Sequence, residues 1–373
     1  MVKPFYAVEI NRLAHQRARR GLDVIHMEVG QPSAGAPEAA LQAAERAMRV
    51  DKLGYWESGA LKERIARHYR EWYGVEVAPE CVILTPGASG ALLLAFAVLL
   101  DAGDRVAMGR PGYPAYRNVL RALGMEPVEL VCAAATRFQP TAAMIEGLEP
   151  APAALIVASP ANPTGTMLDR NELTALTEAC QRRSIALISD EIYHGISYGP
   201  TAVSALEIDS SSIVINSFSK YWCMTGWRLG WMVVPRELVE QMNSYSGNIF
   251  LTPSALSQHA ALAAMDADVE LSRHLETYAA NRRLVMDELR RLGITDLAPA
   301  DGAFYVYADV GHLTGDSLGF CKQLLADTGV AFNTGLDFDP VDGHKTIRIS
   351  FAVSRTETAE AMKRFGAWLG VRA

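Results

Sequence analysis

Short apolar runs alternate with amphipathic stretches through the middle of the chain. Between residues 81 and 234, β-branched and other apolar side chains form seven runs of four or five residues, most of them separated by segments with helical periodicity. Such alternation predicts a largely parallel β-sheet with helices on both faces. The predicted strands are 81–85, 105–108, 127–131, 154–158, 186–190, 213–217 and 230–234.

The pattern changes towards the two ends of the chain. Helices are predicted at residues 8–21 and 37–50, and residues 235–293 are predicted to be helical, with one long helix at 269–292. Apolar and polar residues alternate over 301–309, as in a half-buried strand, and residues 346–352 form a further apolar strand. We therefore expect an α/β protein whose central sheet is followed by helices and then by a few more strands.

Composition narrows the class of protein. The chain has 373 residues, half of them hydrophobic and 21% charged, which is typical of a soluble, enzyme-sized globular protein of two or three domains. Its formal net charge of -7 argues against a nucleic-acid partner. The five cysteines are scattered and odd in number, which indicates reduced thiols rather than disulfides or a metal site. No signal-peptide pattern or membrane-length apolar run is present, so we expect a cytoplasmic protein without a membrane partner.

One stretch combines a buried strand with reactive side chains. The apolar run that begins at Ile213 leads to Lys220 among small hydroxyl residues, and Arg228 follows between Gly226 and Gly230. A partly desolvated lysine has a lowered pKa and can form a Schiff base with a carbonyl compound. The alternative interpretation is that Lys220 is a solvated loop residue.

Further polar residues follow other predicted strands. Ligands of parallel α/β sheets bind beyond the carboxyl ends of the strands. Ala88 and Ser89 lie in a glycine turn that opens a helix, which suits a phosphate group but also an ordinary turn. Asn162 stands between two prolines, which can hold its amide rigidly. Asp190 ends a buried strand, where a carboxylate is costly unless it is paired or functional; the alternative is a cap for the next turn.

The motifs Ser217-Phe-Ser-Lys220 and Gly226-Trp-Arg228-Leu-Gly230 resemble the pyridoxal-phosphate lysine motif of the fold-type I aminotransferases of class I and II. The resemblance covers essentially the whole chain. It implies a pyridoxal 5'-phosphate-dependent enzyme that moves an amino group between an L-amino acid and a 2-oxo acid by a ping-pong mechanism. It also implies a large cofactor-binding domain around a seven-stranded, mostly parallel sheet and a smaller α+β domain formed by both ends of the chain. The expected division is 1–40, 41–270 and 271–373.

The resemblance also implies roles for individual residues. Lys220 is the expected Schiff-base lysine and catalytic base, and no metal is expected. The expected cofactor-binding residues are Ala88, Ser89, Tyr113, Asn162, Asp190, Tyr193, Ser217, Lys220 and Arg228, together with Tyr55, which reaches the cofactor phosphate of the partner subunit in a homodimer. The expected substrate-binding residues are Gly30, Tyr113, Asn162 and Arg348, with Arg348 binding the α-carboxylate. The Asn162–Pro163 bond is expected to be cis, and His194 is expected to be structural.

Several alternatives stay open on the sequence alone. A C–S β-lyase or a related synthase on the same fold would use the same cofactor residues. A cofactor-binding transcriptional regulator would carry a winged-helix domain before this pattern, which here starts within the first few tens of residues. The substrate is also open, because Gln31 replaces the glutamate that usually follows the glycine in the loop of Gly30, and no second arginine for a side-chain carboxylate can be identified.

Overall fold

The computed structural model describes residues 5–370, which fold into strands and helices that alternate through the first two thirds of the chain. The strands are β1 Ile25–His26, β2 Val82–Thr85, β3 Arg105–Arg110, β4 Glu126–Val131, β5 Ala154–Ala158, β6 Ala186–Asp190, β7 Ile213–Ser217, β8 Gly230–Val233, β9 Tyr305–Asp309, β10 Val330–Ala331, β11 Asn333–Thr334 and β12 Thr346–Ser350.

The helices are α1 Tyr6–Arg19, α2 Glu38–Val50, α3 Gly59–Tyr73, α4 Gly87–Leu99, α5 Pro114–Ala122, α6 Ala142–Glu146, α7 Arg170–Arg182, α8 Val239–Ile249, α9 Ala255–Ala264, α10 Asp268–Arg291, α11 Ser317–Thr328 and α12 Arg355–Trp368. Across residues 5–370, none of the helices has both the length and the apolar character needed to cross a membrane.

The large sheet confirms the strand pattern predicted from the sequence. Its order is β2-β8-β7-β6-β5-β3-β4, and the five strands from β7 to β4 run parallel. Strand β8 is antiparallel to both of its neighbours, β2 and β7. Strands β5, β6 and β7 have the predicted bounds, and the other four differ by one or two residues at an end. The prediction of a seven-stranded, mostly parallel sheet is therefore confirmed.

Alternating side chains on the central strands build a hydrophobic layer on each face of this sheet. Ile213 and Ile215 of β7 pack with Phe96 of α4 on one face. Val214, between them, packs with Ile65 of α3 on the other face. Both faces of the strand are therefore buried, which is why β7 has a continuous apolar sequence.

The two ends of the chain share a second core. Strands β11, β12 and β9 form an antiparallel sheet, and β1 pairs in parallel with β10. Ile10 of α1, Val285 of α10 and Phe365 of α12 pack together against this sheet. The strand predicted at 301–309 begins only at Tyr305, because the preceding backbone bonds to loops of the large sheet: Gly302 N donates to Gly165 O and Ala303 N to Ile196 O.

Helix α10 spans both cores. Leu271 near its start packs with the large sheet, whereas Val285 packs with the small one. At the other end of the chain, Met27 packs in the small core and Ala36 in the large one, so the chain passes from one core to the other between these residues. The division 1–40, 41–270 and 271–373 stays a prediction, and its residues 1–4 and 371–373 lie outside the described residues.

Asn281 of α10 provides a test of how the small core is held together. Its buried amide donates to Phe351 O at 3.0 Å and to Val353 O at 2.7 Å. We expect Asn281→Ala to leave two buried carbonyls without a donor and to lower the free energy of unfolding by about 2 kcal/mol or more. Urea denaturation followed by circular dichroism measures this loss. The control is Gln323→Ala, which removes an exposed amide bond to Asp327; equal losses in the two variants would contradict the prediction.

Candidate functional site

A cavity of about 350 Å³ lies at the carboxyl ends of the parallel strands, between the two cores. Asp190 is the last residue of β6, and Lys220 follows the end of β7. Ten of the twelve residues that the sequence marks as site candidates line this cavity: Gly30, Ala88, Ser89, Tyr113, Asn162, Asp190, Tyr193, Lys220, Arg228 and Arg348. Residues far apart in the chain therefore meet at one place.

Lys220 presents its amine inside the cavity. Its Nζ donates to Gly30 O at 2.5 Å and lies 5.9 Å from the centre of the Tyr193 ring. Burial and then the positive charges of Arg348 and Arg228 lower the pKa of Lys220 to about 8, whereas the nearby Asp190 carboxylate acts in the opposite direction. The amine is therefore partly neutral near physiological pH, as a nucleophile or general base needs to be.

Asp190 is a buried carboxylate whose hydrogen-bond donors are neutral. Tyr116 OH donates to Oδ2 at 2.5 Å, and Ile192 N donates to Oδ1 at 3.2 Å. The second bond is the turn cap that the sequence offers as the alternative role, so Asp190 caps the turn and lines the cavity at once. Burial raises the pKa of Asp190. A cationic group bound beside it would hold it ionised.

Arg348 is a buried guanidinium held by neutral groups. Its Nη1 donates to Asn162 Oδ1 at 2.9 Å and its Nη2 to Glu28 O at 2.7 Å. The guanidinium carbon lies 4.4 Å from the centre of the Tyr305 ring and 4.7 Å from that of Phe338. Among residues 5–370, no carboxylate lies within 4.0 Å of the guanidinium nitrogens, and Nε has no hydrogen-bond partner. Such a cation is suited to bind a carboxylate from outside the chain.

Asn162 precedes a cis proline, whereas the loop of Gly30 packs on Tyr305, a residue that the sequence did not mark. The Asn162–Pro163 bond is cis, as predicted. Tyr305 OH shares a hydrogen bond of 2.7 Å with Tyr193 OH and lies directly beneath Gly30, where a Cβ atom would collide with it. Gly30 is therefore required for close packing between this loop and the Tyr305 ring.

The opposite end of the cavity has the character of an anion site. Helix α4 begins at Gly87 and points its free N–H groups towards the cavity, which Ala88 and Ser89 line. Arg228 packs against the same turn: its Nη2 would lie 2.7 Å from a Cβ atom at Gly87. Gly230 allows the approach, because its own Cβ would lie 2.8 Å from the Gly87 carbonyl carbon. The N-terminus of α4 and the guanidinium of Arg228 therefore lie side by side at this end of the cavity.

Two of the predicted residues lie away from the cavity. The Ser217 hydroxyl is fully buried and bonds to Ser219 Oγ at 2.9 Å and to Leu229 O at 3.0 Å, while Ser219 lines the cavity in its place. Tyr55 is 83% exposed on the surface of this chain. Ser217 thus shapes the turn that carries Lys220, and Tyr55 is free to meet a second molecule.

Sequence reasoning missed Tyr116 and the position of α1, whereas it expected the structural part that His194 plays. Tyr116 holds Asp190, and its place on the first turn of α5, three residues after Tyr113, was an available signal. His194, expected to be structural, donates through Nε2 to Ser159 O at 2.9 Å and accepts from Tyr73 OH at 2.8 Å, which supports the turn that carries Asn162. Helix α1 also lines the cavity, and a basic amphipathic helix gave no signal of that position.

The residues present fit pyridoxal 5'-phosphate. The N-terminus of α4 with Arg228 suits its phosphate, and the amine of Lys220 suits its aldehyde. The Asp190 carboxylate, which has no cationic hydrogen-bond donor within residues 5–370, suits a protonated ring nitrogen. Arg348 lines the same cavity and is not needed to hold the cofactor, so it is available to bind a substrate carboxylate.

Comparisons with known proteins point to one family. Residues 22–365 match the family model described as aminotransferase class I and II. The valine–pyruvate aminotransferase of Mycobacterium tuberculosis is 48% identical over 375 residues, which cover 99% of this chain and 97% of that protein. The aspartate/prephenate aminotransferase of Thermus thermophilus is 32% identical over 380 residues, with coverage of 99% and 97%. The crystal structure of an aminotransferase from Mycobacterium tuberculosis has a TM-score of 0.97 and 48% identity, and the match covers 100% of this chain and 98% of that one.

The pKa of Lys220 can be tested on the cofactor-free protein. Since only a neutral amine reacts with aldehydes, we expect reductive methylation of Lys220 by formaldehyde to accelerate as the pH rises through about 8. Peptide mass spectrometry measures the rate at each pH, with the exposed Lys363 reporting on the reagent itself. In Arg348→Gln the midpoint should move to higher pH, because a neighbouring positive charge is lost. Identical pH profiles for Lys220 and Lys363 would refute the prediction.

Proposed function

The chain belongs to the class I and II aminotransferase family, and from that premise we propose that it exchanges the amino group of an apolar L-amino acid with a 2-oxo acid on pyridoxal 5'-phosphate held by Lys220. Transamination is the activity of the family. One observation supports transamination on this cofactor. Lys220 with its lowered pKa, the buried carboxylate of Asp190 and the guanidinium of Arg348, which has no carboxylate partner within residues 5–370, line a single cavity at the ends of parallel strands.

Different residues would hold the different parts of the cofactor. Pyridoxal 5'-phosphate supplies an aldehyde that condenses with amines and a ring that withdraws electrons from the bond to be broken. Arg228 and the N-terminus of α4 bind the phosphate through charge and backbone N–H groups. Asp190, fixed by Tyr116, keeps a proton on the ring nitrogen, and this ion pair lowers the carboxyl pKa that burial raises.

Lys220 moves the proton. With a pKa of about 8, a useful fraction of its amine is neutral near pH 7, and Nζ can accept the proton from the substrate Cα. Lys220 would deliver this proton to the cofactor carbon that is to carry the amino group, and a water molecule would then supply the oxygen of the released 2-oxo acid. A second 2-oxo acid takes the amino group in the reverse sequence, so the two substrates use one site in turn.

Arg348 orients the substrate. Its planar guanidinium can bind both oxygens of the α-carboxylate, while Asn162 and the aromatic rings on either side hold its plane. With its carboxylate held by Arg348 and its amino group held by the cofactor, the substrate would keep little freedom at the Cα–H bond beside Lys220, which is the positional contribution to the rate.

The rest of the cavity favours an apolar substrate side chain. Among the described lining residues the only cations are Lys220, Arg228 and Arg348, all of which already have roles. The remaining wall is largely apolar and includes Phe5, Ala7, Val8, Val29 and Leu92. A second carboxylate would lie there without a partner, at a high desolvation cost. The name of the relative from Mycobacterium tuberculosis, a valine–pyruvate aminotransferase, supports the same substrate class.

We further propose a homodimer with shared sites. Large apolar side chains are exposed on two neighbouring stretches, with Val50 and Tyr55 on one and Ile249 and Leu251 on the other. Gln258 joins the stretches, because its amide donates to Trp56 O and Pro253 O. Apolar surface gathered in this way is typical of an interface, and Tyr55 would reach the partner's phosphate from it.

A cytoplasmic location completes the proposal. All five cysteines fall within the described residues, where they are buried and unpaired. Thiols in this state suit a reducing compartment.

A donor screen tests the substrate class. With pyruvate as acceptor, we expect valine and similar aliphatic donors to give a kcat/KM at least about tenfold above that of aspartate, because no spare cation meets the aspartate side chain. The products are quantified by chromatography, and borohydride reduction of the resting enzyme should label Lys220. A preference for aspartate with 2-oxoglutarate would overturn the substrate class. Ammonia and pyruvate from a cysteine conjugate, without amino transfer, would instead indicate a lyase.

Shared sites can be tested by mixing two inactive variants. Lys220→Ala lacks the amine and Tyr55→Ala lacks the interface tyrosine, so each homodimer should be impaired at both sites. After subunits are exchanged in mild denaturant, each hybrid should carry one site with both residues intact. We therefore expect activity to return in the mixture and the protein to elute as a dimer on size exclusion. Full activity of Tyr55→Ala, or no recovery in mixtures of confirmed hybrids, would contradict shared sites.

A further inference from the structure

The substrate end of the cavity is covered by a helix from the other core. Phe5, Ala7, Val8 and Asn11, from the start of α1, line the cavity together with residues from the strand ends. The Phe5 ring meets that of Tyr113 edge-on, with centroids 6.5 Å apart. We call these four residues of α1 and its N-terminus the roof. None of them takes part in the proton transfer, so their contribution must be to binding.

We propose that Asp337 is a positioning residue that holds the roof over the substrate, so that Phe5 and Val8 contact an apolar substrate side chain. The inference rests on the proposed function, because it deepens the account of the same site. Asp337 touches neither the reacting atoms nor the cavity itself; it acts through α1.

The carboxylate of Asp337 caps α1 from the far end of the chain. Tyr6 N donates to Oδ1 at 2.7 Å and Ala7 N to Oδ2 at 2.8 Å. Phe5, the residue at the N-cap position, makes no side-chain cap bond of its own. The first turn of α1 therefore depends on a charge-assisted cap supplied across more than three hundred residues of sequence, in addition to the favourable interaction of a carboxylate with a helix N-terminus.

Asp337 is itself held firmly against the large sheet. Asn333 Nδ2 donates to its Oδ2 at 3.1 Å, and the side chain is buried. Arg117 of α5 donates to Asp337 O at 3.4 Å and to Phe338 O at 2.6 Å. Glu129 pairs with the Arg117 Nε at 2.9 Å. The cap is therefore fixed to α5 and, through Glu129 of β4, to the edge of the large sheet, not only to its own small sheet.

The roof is tied to the carboxylate-binding arginine at two points. Phe338, the neighbour of Asp337, packs on the guanidinium of Arg348. Asn11 Nδ2 donates to Glu28 Oε1 at 2.9 Å, and the backbone oxygen of Glu28 accepts from Arg348. The gap between the roof and Arg348 is therefore determined by these contacts, and that gap limits the size and polarity of the side chain that a bound amino acid can carry.

Removing the cap should act on binding more than on chemistry. Without Asp337 the first turn of α1 loses two acceptors, and Phe5 and Val8 lose their fixed place over the cavity. Lys220 and Asp190 form no hydrogen bond with this network within the described residues. We therefore expect a higher KM for both the amino acid and the 2-oxo acid, with a smaller change in kcat.

The test compares Asp337→Ala with a control variant that removes a carboxylate cap from another helix, α11. Asp316 caps α11 through Gly319 N at 2.9 Å and is remote from the cavity, so Asp316→Ala removes a carboxylate cap without touching the roof. For Asp337→Ala we expect the KM for valine to rise about tenfold and the Tyr6 and Ala7 amides to exchange hydrogen faster. Asp316→Ala should retain the wild-type KM and the wild-type exchange at both amides.

Two further variants keep the inference testable if Asp337→Ala does not fold. Asp337→Asn keeps the shape but replaces one acceptor oxygen by a donor, and Phe5→Ala removes a roof contact while leaving the cap intact; both should raise KM. Wild-type values of KM and amide exchange in Asp337→Asn, or a wild-type KM in Phe5→Ala, would overturn the inference. A wild-type enzyme that turns over no amino acid would refute the proposed function instead, while amide exchange would still report on the cap.

Discussion

The guanidinium of Arg348 is the point at which the two halves of the molecule meet. It extends from the small sheet, donates to Asn162 at the end of a large-sheet strand and to the backbone of Glu28, and is enclosed by Tyr305 and Phe338. A buried cation bound only to neutral oxygens and ring faces is costly to desolvate. The substrate carboxylate that we propose for this site would offset that cost, so one side chain would both join the two cores and bind the substrate.

The balance of charge in the cavity follows from the same constraint. Within residues 5–370, three cations line it, Lys220, Arg228 and Arg348, together with a single carboxylate, Asp190. Burial and then this positive charge lower the pKa of Lys220, and the charge matches a ligand that carries a phosphate at one end and a carboxylate at the other. In the proposed function, the same cations that help to lower the pKa of Lys220 would also bind the two anionic ends of the ligands, and residues of α1 complete the lining of the cavity.

Local chemistry made most of this site predictable. Asp190, Lys220 and Asn162 each follow a short apolar strand, and parallel strands bring their carboxyl ends to one edge whatever the loops between them do. Ser217 shows the limit of such an argument. It shares a turn with Ser219, yet its hydroxyl bonds to Leu229 O while Ser219 lines the cavity, because the direction of a side chain in a tight turn depends on which backbone oxygen lies beside it.

The sequence by itself determined the seven strands, the lysine and its polar partners, since continuous apolar runs and the residues at their ends are local properties. The resemblance to the family came from two short motifs around Lys220 and Arg228. Only the tertiary structure decided that α1 lines the cavity and that Asp337 caps this helix. It also decided that Tyr116 bonds to Asp190 and that Tyr305 packs beneath Gly30. Those contacts join segments from tens to hundreds of residues apart. Their partners are selected by how helices pack on the large sheet, as for Tyr116, and by how the two cores pack against each other, as for Tyr305 and Asp337, and no local pattern of apolar and polar residues encodes either.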